Sequence, residues 1–132
     1  MTRIHSAVYR WSGGRLGARL AGIPMLLLTT RGRKSGLHRT IPLAYLAHGN
    51  DFIVVASNGG QEVDPAWWRN LKEHPEAEVQ VGRETFRARA REAGPEERAH
   101  LWPLLTQANP AWESYEKSTK RRIPVVVLGR GA

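Results

Sequence analysis

The sequence predicts an α+β protein whose mainly antiparallel sheet closes into a small barrel, with helices packed at its ends. Apolar, β-branched runs recur along the 132 residues and are joined mostly by short turns rich in glycine and asparagine. Short turns favour antiparallel pairing, and closing the sheet removes its exposed edges. No linker is long enough to divide the chain. We therefore expect one barrel domain over residues 25–132, preceded by a helical, basic segment over residues 1–24.

That N-terminal segment mixes apolar and cationic side chains between Ile4 and Leu20, as an amphipathic helix does. The pair Gly13-Gly14 weakens the helix, because glycine loses the most backbone freedom on folding. We expect the segment to cover one end of the barrel. The alternative is contact with the inner face of a membrane, which a basic amphipathic helix favours.

The first three strands surround a basic turn. The segments Leu26–Thr30, Thr40–Ala47 and Phe52–Ala56 are apolar or β-branched runs typical of buried strands. The turn between the first two, Gly32–Gly36, holds two cations and a hydroxyl between its glycines. These runs predict a meander with a cationic corner.

The rest of the chain predicts a helix, a hairpin, two helices and a strand, in that order. Each helix start combines a proline with a capping or acidic residue, and alternating faces indicate the hairpin. The elements are a helix capped by Asp64 and ended by Pro75, a hairpin over residues 78–90, helices that begin after Gly94 and after Asn109, and a strand over Ile123–Leu128.

The charge balance points to an anionic partner. Lys and Arg number 20 against 12 Asp and Glu, for a formal charge of +8. Such a charge favours nucleic acid, an acidic membrane surface, or a phosphorylated or carboxylated small molecule. The chain has no cysteine, which excludes disulfides and thiolate catalysis and is compatible with the reducing cytoplasm where we expect it. No histidines stand at metal-ligand spacing, and no P-loop or nucleophile elbow occurs. We expect no metal, so an enzyme built on this chain would rely on a cofactor.

The basic turn is the best candidate for an anion site. Successive backbone N–H groups in a glycine-rich turn form a concave site for phosphate oxygens. Arg33 and Arg39 add forked donors and Lys34 adds a point charge, while Ser35 and Gly36 complete the turn. From spacing alone, a solvated basic turn is the other interpretation.

A second candidate segment is Ser57–Gly60, whose glycines let the backbone approach a flat ligand closely. Trp67 is a candidate wall for a planar ring. Trp112 and Tyr115 are candidates for the roof of a substrate pocket, and Tyr115 is also a candidate proton donor. Core packing is the alternative for each aromatic residue. The second hairpin strand points three further cations to one side, namely Arg87, Arg89 and Arg91.

Taken together and in this order, these segments resemble the deazaflavin-dependent nitroreductase family. The segments that carry the resemblance are LLLTTRGRKSG (26–36), RTIPL (39–43), VVASNGG (54–60), DPAWWRNLKEHPEAEVQV (64–81), EERAHLWPLL (96–105) and IPVVV (123–127). The similarity covers nearly everything from Leu26 to Leu128. It implies a split β-barrel of the FMN-binding type and use of the reduced deazaflavin coenzyme F420.

The resemblance also implies roles for individual residues: a phosphate-binding turn, a loop beside the deazaflavin ring, and a tryptophan at a helix start. The implied cofactor-binding residues are Arg33, Lys34, Ser35, Gly36, Arg39, Ala56, Ser57, Asn58, Gly59, Gly60 and Trp67. The implied substrate-binding positions are Ala44, Asn109, Trp112 and Tyr115. Of these, Tyr115 is the candidate catalytic residue.

Three positions depart from the family pattern. Asn58 stands where a lysine often occurs, Asn109 where a tyrosine can line the pocket, and Ala44 where another aromatic residue can sit. These departures bear on substrate preference, including the reduction of nitro compounds, more than on cofactor binding.

The resemblance implies an oxidoreductase that transfers a hydride from C5 of the reduced coenzyme to an electron-poor substrate, such as an activated double bond, a quinone or a nitroaromatic ring. The coenzyme carries a phosphate and an oligoglutamate tail, which suits a chain of charge +8. The alternatives are a split-barrel protein that binds FMN or another ligand, a carrier without hydride transfer, and a basic nucleic-acid-binding module. We do not expect nucleic acid, because the tryptophans lie on predicted helices and not among basic residues on a strand platform.

Overall fold

The computed structural model describes residues 19–20, 23–58 and 61–130. Within them lie eight strands and three helices. They are β1 (Arg19–Leu20), β2 (Ile23–Arg31), β3 (His38–Ala44), β4 (Leu46–His48), β5 (Asp51–Val55), α1 (Ala66–Glu73), β6 (Glu76–Val81), β7 (Glu84–Glu92), α2 (Pro95–Ala108), α3 (Ala111–Ser118) and β8 (Val125–Arg130).

Seven strands form one antiparallel sheet in the order β3-β2-β6-β7-β8-β5-β4, and β1 pairs with the start of β2. The two outermost strands, β3 and β4, are separated in the chain only by Tyr45. One stretch of chain therefore pairs with β2 on one side and β5 on the other, and this bends the sheet into a split barrel. The predicted antiparallel barrel is confirmed.

Alternation along the strands gives the barrel an apolar inside and an apolar outer patch. Successive strand residues point to opposite faces, so Leu26, Leu28 and Val54 fill the interior whereas Ile53 and Val55 point outward. Strand β8 behaves in the same way, with Val126 inside and Val127 outside. Strands that are apolar on both faces need a cover on the outside as well.

The helices cover both apolar surfaces, the open end of the barrel interior and the outer patch. Helix α1 places Trp67, Trp68 and Leu71 in the interior cluster, whereas α2 and α3 place residues such as Leu105 and Trp112 against the outer patch. The prediction that the helices pack at the barrel ends is therefore right for α1 and wrong for α2 and α3. The reason is the apolar outer face of β5 and β8, whose burial stabilises a helical layer there.

Strand direction decides what lies at each end of the barrel. In this antiparallel order β2, β5 and β7 run the same way, so the turn after β2 and the loop after β5 emerge at one end. Helix α1, which begins after that loop and leads into β6, closes this end. At the other end Tyr45, Phe52 and Phe86 stack with ring centroids 5.4 and 5.3 Å apart.

Most of the predicted N-terminal helix over Ile4–Leu20 lies outside the described residues, and its membrane contact stays a prediction. Its last two residues, Arg19 and Leu20, are extended and pair with Pro24 and Ile23. The predicted boundary after residue 24 falls inside β2. Among the described residues no helix is both long and apolar enough to cross a bilayer.

Candidate functional site

The basic turn between β2 and β3 is closed by its own backbone. The Gly32 amide donates to the Leu37 carbonyl at 2.8 Å, and the Gly36 amide donates to the Gly32 carbonyl at 2.9 Å. A Cβ on Gly32 would lie 3.2 Å from the Leu37 carbonyl oxygen, and Gly36 has a φ of +73°, so the turn itself favours glycine at both positions. The amides of Lys34 and Ser35 donate no hydrogen bond within the described residues and are free for an anion.

Of the three cationic side chains at this turn, one is bound to another residue of the protein and two are available to a ligand. Asn70 Oδ1, on α1, accepts hydrogen bonds from Arg33 N at 3.2 Å and from Arg33 Nη1 at 2.9 Å. Asn70 Nδ2 donates to Thr30 Oγ1 at 3.2 Å. The side chains of Lys34 and Arg39 are exposed and make no hydrogen bond or ion pair with other described residues. Arg33 thus ties the turn to α1, and Lys34 and Arg39 are the charges available to a ligand.

Register places Arg39 on the inner side of the sheet. Arg39 is opposite Thr30 in the β2–β3 ladder, and directly opposed residues share a face. The same face carries Ile41 and Leu28, which pack in the interior cluster. Arg39 therefore lies above the barrel interior at the end where α1 enters.

The loop after β5 is the second predicted segment, and we call its described part, Ala56–Asn58, the ring loop. Ala56 and Ser57 are buried. Asn58 has a φ of +48°, and its Nδ2 donates to the Val63 carbonyl at 3.0 Å. Gly59 and Gly60, which were also predicted to bind the cofactor, lie outside the described residues. The left-handed residue in the described loop is thus an asparagine, one of the types that tolerate this conformation.

We expect the substitution Asn58→Ala to lower the free energy of unfolding by about 1–2 kcal/mol, because alanine resists a left-handed backbone. It also removes the bond to the Val63 carbonyl. Asn58→Gly is the matched control, since it removes the same side chain but accepts the conformation. Urea denaturation should therefore rank the proteins as wild type, then glycine, then alanine. Equal losses in both variants would contradict the backbone argument.

One arginine that the sequence did not single out organises the ring loop. Arg121 Nη2 donates to the carbonyls of Ala56 and Ser57, at 3.0 Å each, and Arg121 Nε donates to the Gln61 carbonyl at 2.8 Å. Arg121 Nη1 donates to Asp64 Oδ1 at 2.9 Å, and the Arg121 side chain is only 14% exposed. Nothing in the spacing around this residue signals these contacts, because its partners lie 57 to 65 residues away.

The prediction that Asp64 caps α1 is wrong. The helix begins at Ala66 after an extended Pro65, and no side chain caps it. The Asp64 carboxylate instead pairs with Arg121 and, at 3.4 Å, with Lys72 Nζ. A buried guanidinium without a carboxylate partner would be costly, and this outweighs a cap bond. Asn109, by contrast, accepts a hydrogen bond from the Ala111 amide at 3.2 Å, which confirms the predicted start of α3.

Helix α1 joins the two predicted cofactor segments. Asp64, just before its start, is bound to the arginine that holds the ring loop. Asn70, within the helix, is bound to the basic turn. Trp67 lies between these points and is 7% exposed, packed in the barrel interior. The structure therefore brings together the basic turn, the ring loop and Trp67 at one end of the barrel.

The predicted substrate residues lie on the outer side of the same region. Ala44 and Tyr115 are half-buried against the outer cluster, and Trp112, which is 5% exposed, belongs to it. That cluster includes Val55, the residue immediately before the ring loop. Asn109 is half-buried at the α2–α3 junction. Helix α3 thus approaches the site from the side opposite α1.

The arginines of β7 do not extend the basic turn into a cationic groove. Arg91 forms a bidentate pair with Glu97 at 2.6 and 2.8 Å, whose hydrogen bonds hold the pKa of Glu97 below its usual value. Arg89 lies 4.0 Å from Glu76. Arg87 lines a cleft of about 580 Å³ on the outer face that also holds three carboxylates. The outer face is therefore a surface of mixed charge.

Known proteins resemble this chain over most of its length. Residues 1–130 match the family model described as F420H(2)-dependent quinone reductase. The chain is 40% identical to an F420H(2)-dependent quinone reductase of Mycobacterium tuberculosis, over 98% of this chain and 90% of that protein.

Solved structures agree with the family match. The structure of an F420-H2 dependent reductase is 39% identical, covers 80% of this chain and 93% of its own, and superposes with a TM-score of 0.73. A structure described as a domain-swapped dimer is 33% identical, covers 95% of this chain and 96% of its own, and has a TM-score of 0.75. The chain therefore belongs to the F420H(2)-dependent quinone reductase family.

Proposed function

We propose that this protein binds coenzyme F420 across the basic turn and the ring loop and uses its reduced form to reduce a quinone. The observation that carries the proposal is the convergence of two segments at one barrel end. One segment offers free cations and free turn amides. The other offers buried backbone beside a tryptophan. A phosphorylated chain attached to a flat ring needs both kinds of site.

The donor set fits the two ends of such a molecule. Lys34 and Arg39, with the amides of Lys34 and Ser35, would hold the phosphate. The ring loop and Trp67 would hold the ring. When bound, the reduced coenzyme supplies a hydride to an electron-poor carbon or a quinone. The protein contributes position and exclusion of water, and its own side chains need not act as nucleophiles.

The outer side of the site would receive the substrate. Tyr115 and Ala44 are half-buried, and the Tyr115 hydroxyl makes no hydrogen bond with other described residues. Ala44 packs against the same outer cluster as Tyr115, and we propose that it borders the substrate. Asn109 contributes chiefly by starting α3, and Trp112 by anchoring it. Completion of a quinone's reduction requires a proton as well as a hydride, and the Tyr115 phenol is our candidate donor.

Anaerobic mixing of the protein with reduced coenzyme and a soluble quinone tests this function. We expect saturable oxidation of the coenzyme, followed by its absorbance, at a rate well above that of the protein-free mixture. A nitroaromatic compound in place of the quinone compares the two substrate classes. Absence of turnover with any quinone, together with absence of coenzyme binding, would contradict the proposal.

The variant Tyr115→Phe tests the proton donor. If the phenol donates, kcat should fall by about tenfold or more at pH 7 and the loss should shrink at lower pH, where the solvent supplies protons more readily. The affinity for the coenzyme should not change, which separates the role in proton transfer from a role in packing. An unchanged kcat would assign the proton to water.

A further inference from the structure

The contacts of Arg121 determine which way two peptide groups of the ring loop face. Its Nη2 donates to both the Ala56 and the Ser57 carbonyl oxygens, at 3.0 Å each. No described peptide bond is cis. In a trans peptide the N–H points opposite to the C=O of the same plane. The amide of Ser57 and the amide of Asn58 therefore face away from Arg121.

These two amides have no acceptor in the described part of the chain. Ser57 is only 8% exposed, and buried backbone N–H groups are nearly always paired in native proteins. The left-handed Asn58 that follows is typical of loops in which neighbouring amides point toward one acceptor group. The amides of Ser57 and Asn58 are two adjacent donors at the barrel end that also holds Trp67. They suit a ligand with oxygen acceptors.

We propose that Arg121 is a positioning residue that presents the amides of Ser57 and Asn58 to the carbonyl edge of the bound coenzyme ring. The inference rests on the proposed function and deepens it. Arg121 touches neither ring nor substrate. It binds the Ala56 and Ser57 carbonyls on the side of the loop opposite the amides. The amides of Ser57 and Asn58 are therefore oriented before the ring binds, so binding does not have to pay the conformational entropy of ordering them.

The same arginine connects the ring loop to the substrate side. Arg121 lies three residues after the end of α3. The two residues before it also form hydrogen bonds with the loop that leads into α1. Thr119 Oγ1 and the Lys120 amide both donate to Glu62 Oε1, at 3.1 and 3.3 Å. A displacement of α3 would therefore also displace the ring loop, because residues 119–121 connect the two. Arg121 aligns the ring donors and the substrate-side helix relative to each other.

The experiment compares the whole coenzyme with its phosphate-free ring fragment, which carries only the ring and the ribityl chain. We expect Arg121→Ala to weaken fragment binding by about tenfold or more, measured by fluorescence. Arg121→Lys keeps the charge but lacks the planar guanidinium that reaches four acceptors at once. Its affinity for the fragment should therefore be close to that of Arg121→Ala. Arg122→Ala is the matched control, because Arg122 is exposed and unpaired among the described residues, and it should bind within about twofold of wild type.

Amide signals provide a readout that folding alone would not move. In ¹⁵N-labelled wild-type protein the signals of Ser57 and Asn58 should shift downfield, and their hydrogen exchange should slow, when the fragment is added. This measurement needs no variant, so it decides the question even if Arg121→Ala does not fold. Unperturbed amides in a saturated complex, or unchanged fragment affinity in a folded Arg121→Ala protein, would overturn the inference. If the inference fails in this way but the coenzyme still binds, the proposed function is retained. If the wild-type protein does not bind the coenzyme at all, both the proposed function and the role of Arg121 are rejected.

Discussion

Replacing Lys34 and Arg39 together by alanine is expected to lower the affinity for coenzyme F420 on the order of a hundredfold. A hydrogen bond to a charged group contributes about 1.5–3 kcal/mol, and about 1.4 kcal/mol corresponds to a factor of ten. Two such contacts at an exposed, salt-screened turn should fall at the low end of that range. Because neither side chain has a partner among the described residues, thermal stability should hardly change. Fluorescence titration measures the affinity.

The matched control is Arg83→Ala with Arg122→Ala. Both arginines are exposed and unpaired within the described ranges, so this double variant removes the same charge without touching the turn. It should lose only the long-range attraction, and that loss should vanish at high salt. The turn variant should keep a deficit at high salt, because it also loses direct hydrogen bonds to the phosphate. Equal losses in the two double variants would show that net charge, and not the turn, binds the coenzyme.

Replacing Asn70 by alanine is expected to lower the free energy of unfolding by about 2–3 kcal/mol. Asn70 is 4% exposed and satisfies Thr30 and Arg33 with three hydrogen bonds. Its removal leaves the buried Thr30 Oγ1 without its donor and two partly buried Arg33 donors without their acceptor. An unpaired buried polar group costs about 1–3 kcal/mol, and water can reach Arg33. We also expect weaker coenzyme binding, because Arg33 N and Nη1 no longer fasten the basic turn to α1. Chemical denaturation and fluorescence titration check the two effects.

The control for Asn70 is Thr30→Val, which removes the other end of the buried hydrogen bond without changing the side-chain shape. It leaves the contact between Asn70 and Arg33 in place. We expect Thr30→Val to lose stability, by about 1 kcal/mol, but to bind the coenzyme normally. If Asn70→Ala also bound normally, the basic turn would be rigid without α1, and the link between the two cofactor segments would have no functional role.

Sequence and structure answer different questions about this site. Gly32 and Gly36 identify the basic turn because the requirement for glycine is local: the turn folds on itself within six residues. The sequence also places two cations there. It does not show that Arg33 is occupied by Asn70 while Lys34 and Arg39 are free. That division depends on a residue more than thirty positions away.

One further difference has the same origin. Asp64 has the sequence context of a helix cap, yet its carboxylate pairs with Arg121. The short-range rule is outweighed by a partner that the fold supplies, because leaving a largely buried charge unpaired costs more than losing one exposed cap bond. Trp112 is 5% exposed in the outer cluster, and its contact with a substrate stays a prediction.

The sequence by itself determined the antiparallel barrel, its hairpins and the basic turn. These features follow from alternation, turn chemistry and glycine geometry, all of which act over a few residues. Only the tertiary structure decided that the basic turn and the ring loop share one end of the barrel, and that Asn70 and Arg121 hold them there. The sheet's strand order and long-range hydrogen bonds settle those matters, since pairing between distant residues depends on how the whole chain closes.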